Sequence, residues 1–196
     1  SHNVGVGYMA LYGVTTGGDN VAVGKQALQD VTTGSNNMAF GLDAGRAGTP
    51  TGSITTASNY ICMGNNSHTD FACRVSLTVT SDKRDKTDIT DFNHGLSWIN
   101  KLRPVTYKWD MRSNYENGVP DGSKKEPKLF IGLIAQEELE VEKEHGFAND
   151  KDDMLITTEN DEGNYGMEYD RIVPILINAV KELSAKVEEL ESKLNN

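Results

Sequence analysis

The first 80 residues contain a repeat with a period of 17 residues. Copies begin at Asn3, Asn20 and Asn37, and a degenerate copy begins at Asn59 after an insertion. Each copy has a short alternating apolar run punctuated by glycine, and such a unit cannot bury its own apolar face. A core therefore requires stacking of successive units or association of three chains. The repeat predicts a β-solenoid-like stalk over residues 1–80.

A flexible linker is the alternative interpretation of this segment, because glycine, asparagine and threonine are also typical of linkers. A linker, however, has no reason to keep its apolar residues in phase. Val6, Val23 and Phe40 occupy the same position of the repeat, and a glycine follows each of them. The constant phase favours the stalk.

The composition changes close to Ser81. Residues 1–80 contain three basic and four acidic side chains and 12 of the 19 glycines, whereas the remaining 116 residues contain 16 basic and 25 acidic side chains. A shift of this size is typical of a domain boundary. We therefore predict a Gly/Asn-rich β-repeat stalk over residues 1–80 and a second domain over residues 81–196.

The charge and the apolar content argue against several classes of function. A net charge of -10 repels phosphate backbones, and acid interrupts the densest basic run, Lys83 to Lys86, so we expect no binding to nucleic acid. No apolar run approaches the roughly 18 residues that a membrane helix needs, so we expect no membrane insertion. Cys62 and Cys73 are expected to be reduced and partly buried. Neither they nor the four histidines show metal-ligand spacing, so we expect no metal and no cofactor.

Residues 88–169 show the patterns of a mixed α+β domain. The spacing of apolar residues from Asp88 onward predicts an amphipathic helix that ends before Pro104. The other predicted elements are a strand over 105–109, a loop over 110–127, a strand over 129–135 that runs into a short helix at Gln136, and a hairpin with strands 155–158 and 165–169.

The C-terminal segment, about 171–196, has the apolar periodicity of a coiled coil. Spacings of three and four alternate over three heptads, and charged residues occupy other positions. An ordinary amphipathic helix packed on its own domain is the alternative. Valine at the first seam position of the heptad with leucine at the fourth favours dimers, so the heptads alone do not establish a trimer. The seam residues are Val173, Leu176, Val180, Leu183, Val187, Leu190 and Leu194.

Five motifs in the second domain occur in a recognisable order. They are Ser81–Ile89, Leu102–Trp109, Gly132–Glu137, Tyr169–Ile177 and Lys181–Leu183. This series resembles the C-terminal intramolecular chaperone and self-cleaving domain of phage tail fibres, tailspikes and endosialidases, and the resemblance covers residues 81–196. The Asn/Gly/Val repeat upstream resembles the stalks to which such domains are attached.

The resemblance implies a homotrimeric Ser-Lys autoprotease that cuts each chain once, immediately before its serine, and acts on no other substrate. In this sequence the scissile bond is Thr80–Ser81, the nucleophile is Ser81 and the base is Lys86. A serine hydroxyl needs a base to take its proton, and a lysine serves as that base only when burial lowers its pKa from about 10.4 towards neutrality. Burial on trimerisation would meet this condition, so assembly would switch cleavage on. Without the family, this serine and lysine indicate only solvated surface.

Four other polar residues are weaker candidates for a supporting role. Asp82 either orients the scissile peptide or caps a turn or the following helix. Gln136 and Glu137 recur in the family motif, and they also suit the start of a helix after a strand. Arg171 either pairs with an acid across a subunit interface or is a solvated surface residue.

The sequence therefore predicts the C-terminal part of a viral (phage) tail fibre or spike, located in the virion. Residues 81–196 would trimerise, assist folding of the β-stalk in the host cytoplasm, cleave at Thr80–Ser81 and be released. Three chains must find a common register, and nonlocal β pairing is slow and exposes edges that aggregate, so a chaperone meets a physical need.

The expected partners are two further copies of the chain, the preceding stalk of the same fibre and a host surface receptor, which binds mostly through regions outside this sequence. The main alternative is a non-catalytic trimeric fibre-tip adhesin with a permanently attached receptor-binding head. A membrane-bound transcription factor processed by a related domain is a more distant one.

Overall fold

The computed structural model describes residues 2–160 and 162–195 of the chain. The protein is mixed α and β and ends in a long helix, as predicted. Two compact units are present. The first consists of Ser1–Ala72, Tyr107–Phe130 and Asn160–Asn164, and the second of Cys73–Thr106, Ile131–Glu159 and Tyr165–Asn196. The division between residues 80 and 81 that the composition predicts stays a prediction.

Four short parallel strands stack in chain order in the first unit. Val4 pairs with Val21, and Val21 pairs with Met38, so the register of the sheet follows the 17-residue repeat. The degenerate copy supplies the fourth strand. The strands are β1 (Val4–Val6), β2 (Val21–Val23), β3 (Met38–Phe40) and β4 (Ile61–Met63).

The side chains of these strands alternate between two faces, as they must in a pleated strand. The middle residues of β2, β3 and β4 are buried, and they pack with residues from the connecting turns. The flanking residues are larger, and most of them are exposed. The buried cluster consists of Ala22, Ala27, Leu28, Val31, Ala39, Ala44, Ile54 and Cys62.

Asparagine and glycine recur because each joins one copy of the repeat to the next. The buried Asn20 side chain accepts a hydrogen bond from the backbone N–H of Asn37 at 3.0 Å and donates one to the carbonyl of Gly34 at 2.9 Å. Gly24 has a φ of 137°, and a Cβ atom there would lie 2.4 Å from the carbonyl oxygen of Gly41. A side chain at this position would therefore push the two copies apart.

The second unit packs helices against a hairpin around a fully buried tryptophan, Trp98. The antiparallel hairpin confirms the predicted pair of strands, although both strands are shorter than predicted. The helices are α1 (Leu96–Ile99), α2 (Ala135–Glu144) and α3 (Ile172–Leu194), and the hairpin strands are β7 (Thr157–Glu159) and β8 (Tyr165–Met167). Strands β5 (Val105–Tyr107) and β6 (Phe130–Gly132) form a separate two-stranded sheet.

The prediction of a long helix from Asp88 was wrong, because only the four residues of α1 are helical. Asp88 has a φ of 50°, which is incompatible with a right-handed helix. Gly95 packs so closely on α3 that a Cβ atom would lie 2.6 Å from the backbone nitrogen of Ala179. The side chain of Asn178 donates a hydrogen bond to the carbonyl of Phe92 at 2.5 Å. Contacts with α3 therefore replace the helical hydrogen bonds that the apolar spacing predicted.

The long helix α3 buries a stripe that differs from the predicted seam. Ile172, Ile175 and Ala179 are buried in the second unit. All seven predicted seam residues are exposed. The helix is thus packed on its own unit by one stripe, and it leaves the heptad seam uncovered in the single chain.

The cysteines agree with the predictions only in part. Both are free thiols, as expected. Cys62 is buried in the first unit, where desolvation raises the pKa of its thiol. Cys73 is exposed, which corrects the expectation that both would be partly buried.

Candidate active site

A short turn brings Ser81 and Lys86 together. One 3₁₀ turn over Lys83–Asp85 reverses the chain between them, and the backbone N–H of Lys86 closes this turn on the carbonyl of Lys83 at 3.3 Å. The Lys86 ammonium then donates a hydrogen bond from Nζ to Ser81 Oγ at 2.6 Å. Thr80 directly precedes Ser81. The structure therefore places the predicted nucleophile, base and scissile bond within one chain reversal.

Asp82 holds the start of this turn. Its carboxylate caps the turn by accepting a hydrogen bond from the backbone N–H of Arg84 at 2.9 Å, and it also accepts one from the Arg84 guanidinium at 2.6 Å. The hydrogen bond from the Arg84 side chain and, to a smaller extent, the one from its backbone lower the pKa of Asp82. Asp82 therefore takes the capping role, which is one of the two roles that the sequence allowed.

The surroundings of the pair are open to solvent. Every residue from 73 to 91 is exposed in the single chain. Water stabilises the charged ammonium of an exposed lysine, and only burial or a neighbouring positive charge favours the neutral amine that a base requires. Ser81 and Lys86 are thus joined by a hydrogen bond but lack the apolar surroundings that a lysine base needs.

Gln136 and Glu137 lie in the first turn of α2 and are exposed. Glu137 accepts a hydrogen bond from Arg103 Nε at 3.0 Å. This bond, together with the attraction between the two opposite charges, lowers the pKa of Glu137 and raises that of Arg103. In the part of the chain that the structure describes, no hydrogen bond joins Gln136 or Glu137 to Ser81 or Lys86. Glu137 thus links two of the sequence motifs through Arg103. Neither Gln136 nor Glu137 contributes a hydrogen bond to Ser81 or Lys86 among the described residues.

Arg171 finds its partners within its own unit. Its guanidinium donates a hydrogen bond to the carbonyl of Leu155 at 2.9 Å and pairs with the carboxylate of Glu168. Because Leu155 precedes the hairpin and Arg171 precedes α3, this contact ties the start of α3 to the hairpin. The side chain stays half exposed.

Sequence reasoning missed two buried carboxylates on α2. Glu142 is fully buried and accepts hydrogen bonds from the backbone N–H groups of Leu155, Ile156 and Thr157 at 2.6, 3.2 and 2.7 Å. The Thr157 hydroxyl donates another at 2.8 Å. The carboxylate therefore serves as the hydrogen-bond acceptor for the start of the hairpin.

Glu138 lies one helical turn before Glu142 and is 1% exposed. One carboxylate oxygen accepts a hydrogen bond from Trp98 Nε1 at 2.8 Å, whereas the other, Oε2, is buried without a partner. Desolvation, with a smaller contribution from the nearby Glu142 charge, raises the pKa of Glu138 to about 7. In the sequence both glutamates look like the solvated acids around them, and no signal distinguishes them.

Metal-binding clusters and membrane spans were sought in the two described ranges, 2–160 and 162–195. Within these ranges no group of three or more His, Cys, Asp or Glu side chains is placed to hold a metal ion. No helix there is both long and apolar enough to cross a membrane.

Comparison with known families gives a match that includes the turn. Residues 81–147 match the peptidase family model described as chaperone of endosialidase. No curated protein matches the chain. The match begins at Ser81, includes Lys86 and ends at Phe147, so the hairpin and α3 lie beyond it. Residues 81–147 are therefore similar to the endosialidase chaperone family, which agrees with the resemblance carried by the motifs in the sequence.

Proposed function

We propose that this chain is the C-terminal part of a phage tail fibre or spike, in which residues 81–196 act as a trimeric, self-removing chaperone. The observation that carries the proposal is the 2.6 Å hydrogen bond between Lys86 Nζ and Ser81 Oγ at the start of a segment from a peptidase family of chaperones. The nucleophile, the base and the preceding peptide bond all belong to one turn. The fibre is part of the virion, and the chaperone acts in the host cytoplasm during assembly.

The proposed reaction is a single acyl transfer followed by hydrolysis. The neutral amine of Lys86 takes the proton from Ser81 Oγ, which attacks the carbonyl carbon of Thr80. The Thr80–Ser81 C–N bond breaks, and the proton passes from Lys86 to the new α-amine of Ser81. Water then hydrolyses the Thr80 ester, which leaves a Thr80 carboxylate and restores the Ser81 hydroxyl. Each chain is cut once, because the bond that is consumed is its own.

Assembly would supply the burial of Lys86 that the single chain lacks. Burial disfavours the charged form of a lysine, so covering the exposed turn with other chains would favour the free amine. A chain that is not assembled would stay intact in this account. Cleavage in this account reports that three chains have come together.

Helix α3 is the proposed trimerisation element. Its predicted seam is exposed along the whole helix, from Val173 to Leu194, while a separate stripe packs on the second unit. An apolar stripe of this length in water is typical of a coiled-coil helix without its partners. The three-chain state is taken from the family resemblance, since the heptads alone favour a dimer.

The repeats of the first unit are the proposed stalk, built as a trimeric β-solenoid. The parallel register repeats the 17-residue period, and the outer face of the strands is apolar and exposed. Stacking within one chain covers only the inner face, so the outer face is available to neighbouring chains. The large apolar residues that are exposed on these strands are Val4, Val6, Val23, Met38, Phe40, Ile61 and Met63.

Electrophoresis under denaturing conditions tests the protease. Freshly expressed chain should yield fragments of 80 and 116 residues, with Ser81 at the new N-terminus. Ser81→Ala is the control, because it removes one hydroxyl at an exposed position and should leave an intact, folded trimer. An intact parent chain that is nevertheless trimeric would support the non-catalytic adhesin. Cleavage of the Ala variant at the same bond would disprove the nucleophile.

Two preparations of the stalk test the chaperone. Residues 1–80 expressed alone should aggregate or stay disordered, since glycine-rich strands bury too little surface in one chain to offset their ordering entropy. The same residues released by cleavage of the full trimer should stay folded, because unfolding must then cross a barrier that assembly left behind. Circular dichroism and gel filtration compare the two. Identical folded behaviour by both routes would show that the stalk needs no chaperone.

A further inference from the structure

The six residues before the proposed nucleophile have the pattern of a half-buried β-strand. Val75, Leu77 and Val79 alternate with Ser76, Thr78 and Thr80. Alternation with a period of two puts the apolar side chains on one face of an extended chain and the hydroxyls on the other. Valine and threonine also favour strands.

In the single chain this segment is neither a strand nor covered. Leu77 is 91% exposed, and Val75 and Val79 are 71% and 68% exposed. The segment contains no charge, no glycine and no proline. Folded proteins normally cover or interrupt such segments, because an exposed, uncharged and strand-prone hexapeptide is an aggregation hazard. Its exposure therefore indicates that something covers it in the assembled protein.

We infer that residues 75–80 form an extended strand along the three-fold axis of the trimer, with Val75, Leu77 and Val79 packed against the same residues of two other copies. This inference rests on the proposed function and names the contact that couples assembly to cleavage. A three-fold axis brings identical positions together, so an apolar position meets an apolar position without a complementary surface elsewhere. The absence of charge in the segment means that identical positions do not repel one another.

The position of the strand gives it a role in the reaction. It ends at Thr80, whose carbonyl carbon Ser81 attacks, so fixing Val79 and Leu77 fixes the plane of the scissile peptide relative to the turn. Reaction rates depend steeply on such alignment. Val79 and Leu77 are in this account positioning residues, and the two added chains also cover the turn that holds Lys86.

Disulfide cross-linking tests the contact without relying on catalysis. Leu77→Cys and Thr78→Cys are compared in a full-length chain that also carries Ser81→Ala, to prevent cleavage, and Cys73→Ser, to remove the exposed thiol. A disulfide needs Cα atoms about 4.4–6.8 Å apart. Mild oxidation should link chains through position 77, which faces the axis, and not through position 78, which faces away.

Light scattering before oxidation separates the possible failures. A trimer without cross-links at position 77, or with equal cross-links at both positions, would overturn the strand and leave the protease proposal standing. A trimer without cross-links at position 77 is also the result expected if residues 75–80 were covered by their own chain. A monomer would overturn both proposals. Cross-links at position 77 in a protein whose parent chain does not cleave would support the strand and refute the autoprotease.

A second pair of variants connects the strand to the reaction. Leu77→Asp should slow cleavage of the otherwise native chain by about 100-fold or more, because the trimer would bury unpaired carboxylates on its axis. Thr78→Asp adds the same charge on the outer face and should change the rate by no more than about threefold. Equal rates for the two variants would contradict the role of the apolar face.

Discussion

Two regions of the second unit differ in the exposure of their ionisable groups: one group of side chains is open to solvent and the other is buried. The turn with Ser81 and Lys86 holds the proposed nucleophile and base, joined by a 2.6 Å hydrogen bond, and both residues are exposed to water. The face of α2 that carries Glu138 has no reactive partner for its carboxylate, but it is buried, and desolvation raises the pKa of Glu138 to about 7.

The difference shows what each region lacks. Burial within one chain is enough to raise the pKa of a carboxyl group that lies on the packed face of a helix, as it does for Glu138. The turn has the right geometry, but no element of the described chain covers it, so its environment must come from outside the chain. The proposed function supplies that environment with two further copies.

The largest effect is expected at the proposed base, Lys86. Lys86→Ala should slow self-cleavage by roughly 10⁴-fold, because the serine loses the group that takes its proton. Lys83→Ala is the matched control, since it removes the same charge from the same turn, and it should cleave at nearly the parent rate. Mass spectrometry of time points measures both. An equal loss in the two variants would indicate a general charge effect instead of a dyad.

A smaller effect, on stability, is expected at the buried acceptor of the hairpin. Glu142→Ala should lower the free energy of unfolding by about 4 kcal/mol, because it leaves three buried backbone N–H groups and a hydroxyl without an acceptor. Glu140→Ala, on the exposed face of the same helix, should change it by less than about 1 kcal/mol. Urea unfolding of the non-cleaving Ser81→Ala chain gives both values. Similar losses would mean that the burial of Glu142 carries little energy.

The smallest effect is a dependence on pH at Glu138. Its pKa is raised on folding from an ordinary 4.5 to about 7, so the folded state holds a proton that the unfolded state has lost between these values. The stability that this group contributes is therefore complete below pH 4.5 and is lost as the pH rises through 7. One unit of pKa corresponds to about 1.4 kcal/mol, so the loss approaches about 3 kcal/mol.

Glu138→Gln isolates this contribution. The glutamine has no proton to lose, so the difference in unfolding free energy between the variant and its parent should move in favour of the variant by about 3 kcal/mol between pH 4 and pH 8. Urea unfolding at several pH values in the Ser81→Ala background measures it. A difference that does not change with pH would contradict the prediction, because it would show that folding leaves the pKa of Glu138 unchanged.

The sequence allowed prediction where structure repeats or follows local rules. The constant phase of Val6, Val23 and Phe40 predicted stacked β-repeats, and in the structure these three residues pair side by side. The two short runs over 155–158 and 165–169 predicted the hairpin, and the apolar heptads predicted a helix whose end lies within two residues of the observed end. The pairing of Ser81 with Lys86 followed from family motifs, and one short turn is enough to create it.

Prediction failed where partners distant in sequence decide the outcome. The apolar spacing after Asp88 suits a helix, but Asn178 and the backbone of Ala179, about 85 residues later, take up the groups and the space that a helix would need. Glu142 is buried because the backbone of residues 155–157 points at it, and nothing near Glu142 in the sequence encodes that contact. The exposed seam of α3 was predicted from its pattern, whereas its second, buried stripe depends on the rest of the unit.

The coupling of assembly to cleavage is tested most directly by the rate of cleavage as a function of chain concentration. The parent chain is unfolded in urea and diluted into buffer at several concentrations, while light scattering follows its mass. The account predicts that the fraction cut per unit time rises with concentration until the trimer is saturated. It also predicts that a chain carrying both Leu183→Asp and Leu190→Asp, which place charges in the exposed seam, stays monomeric and intact. A monomeric chain that cleaves at a rate independent of concentration would contradict the account.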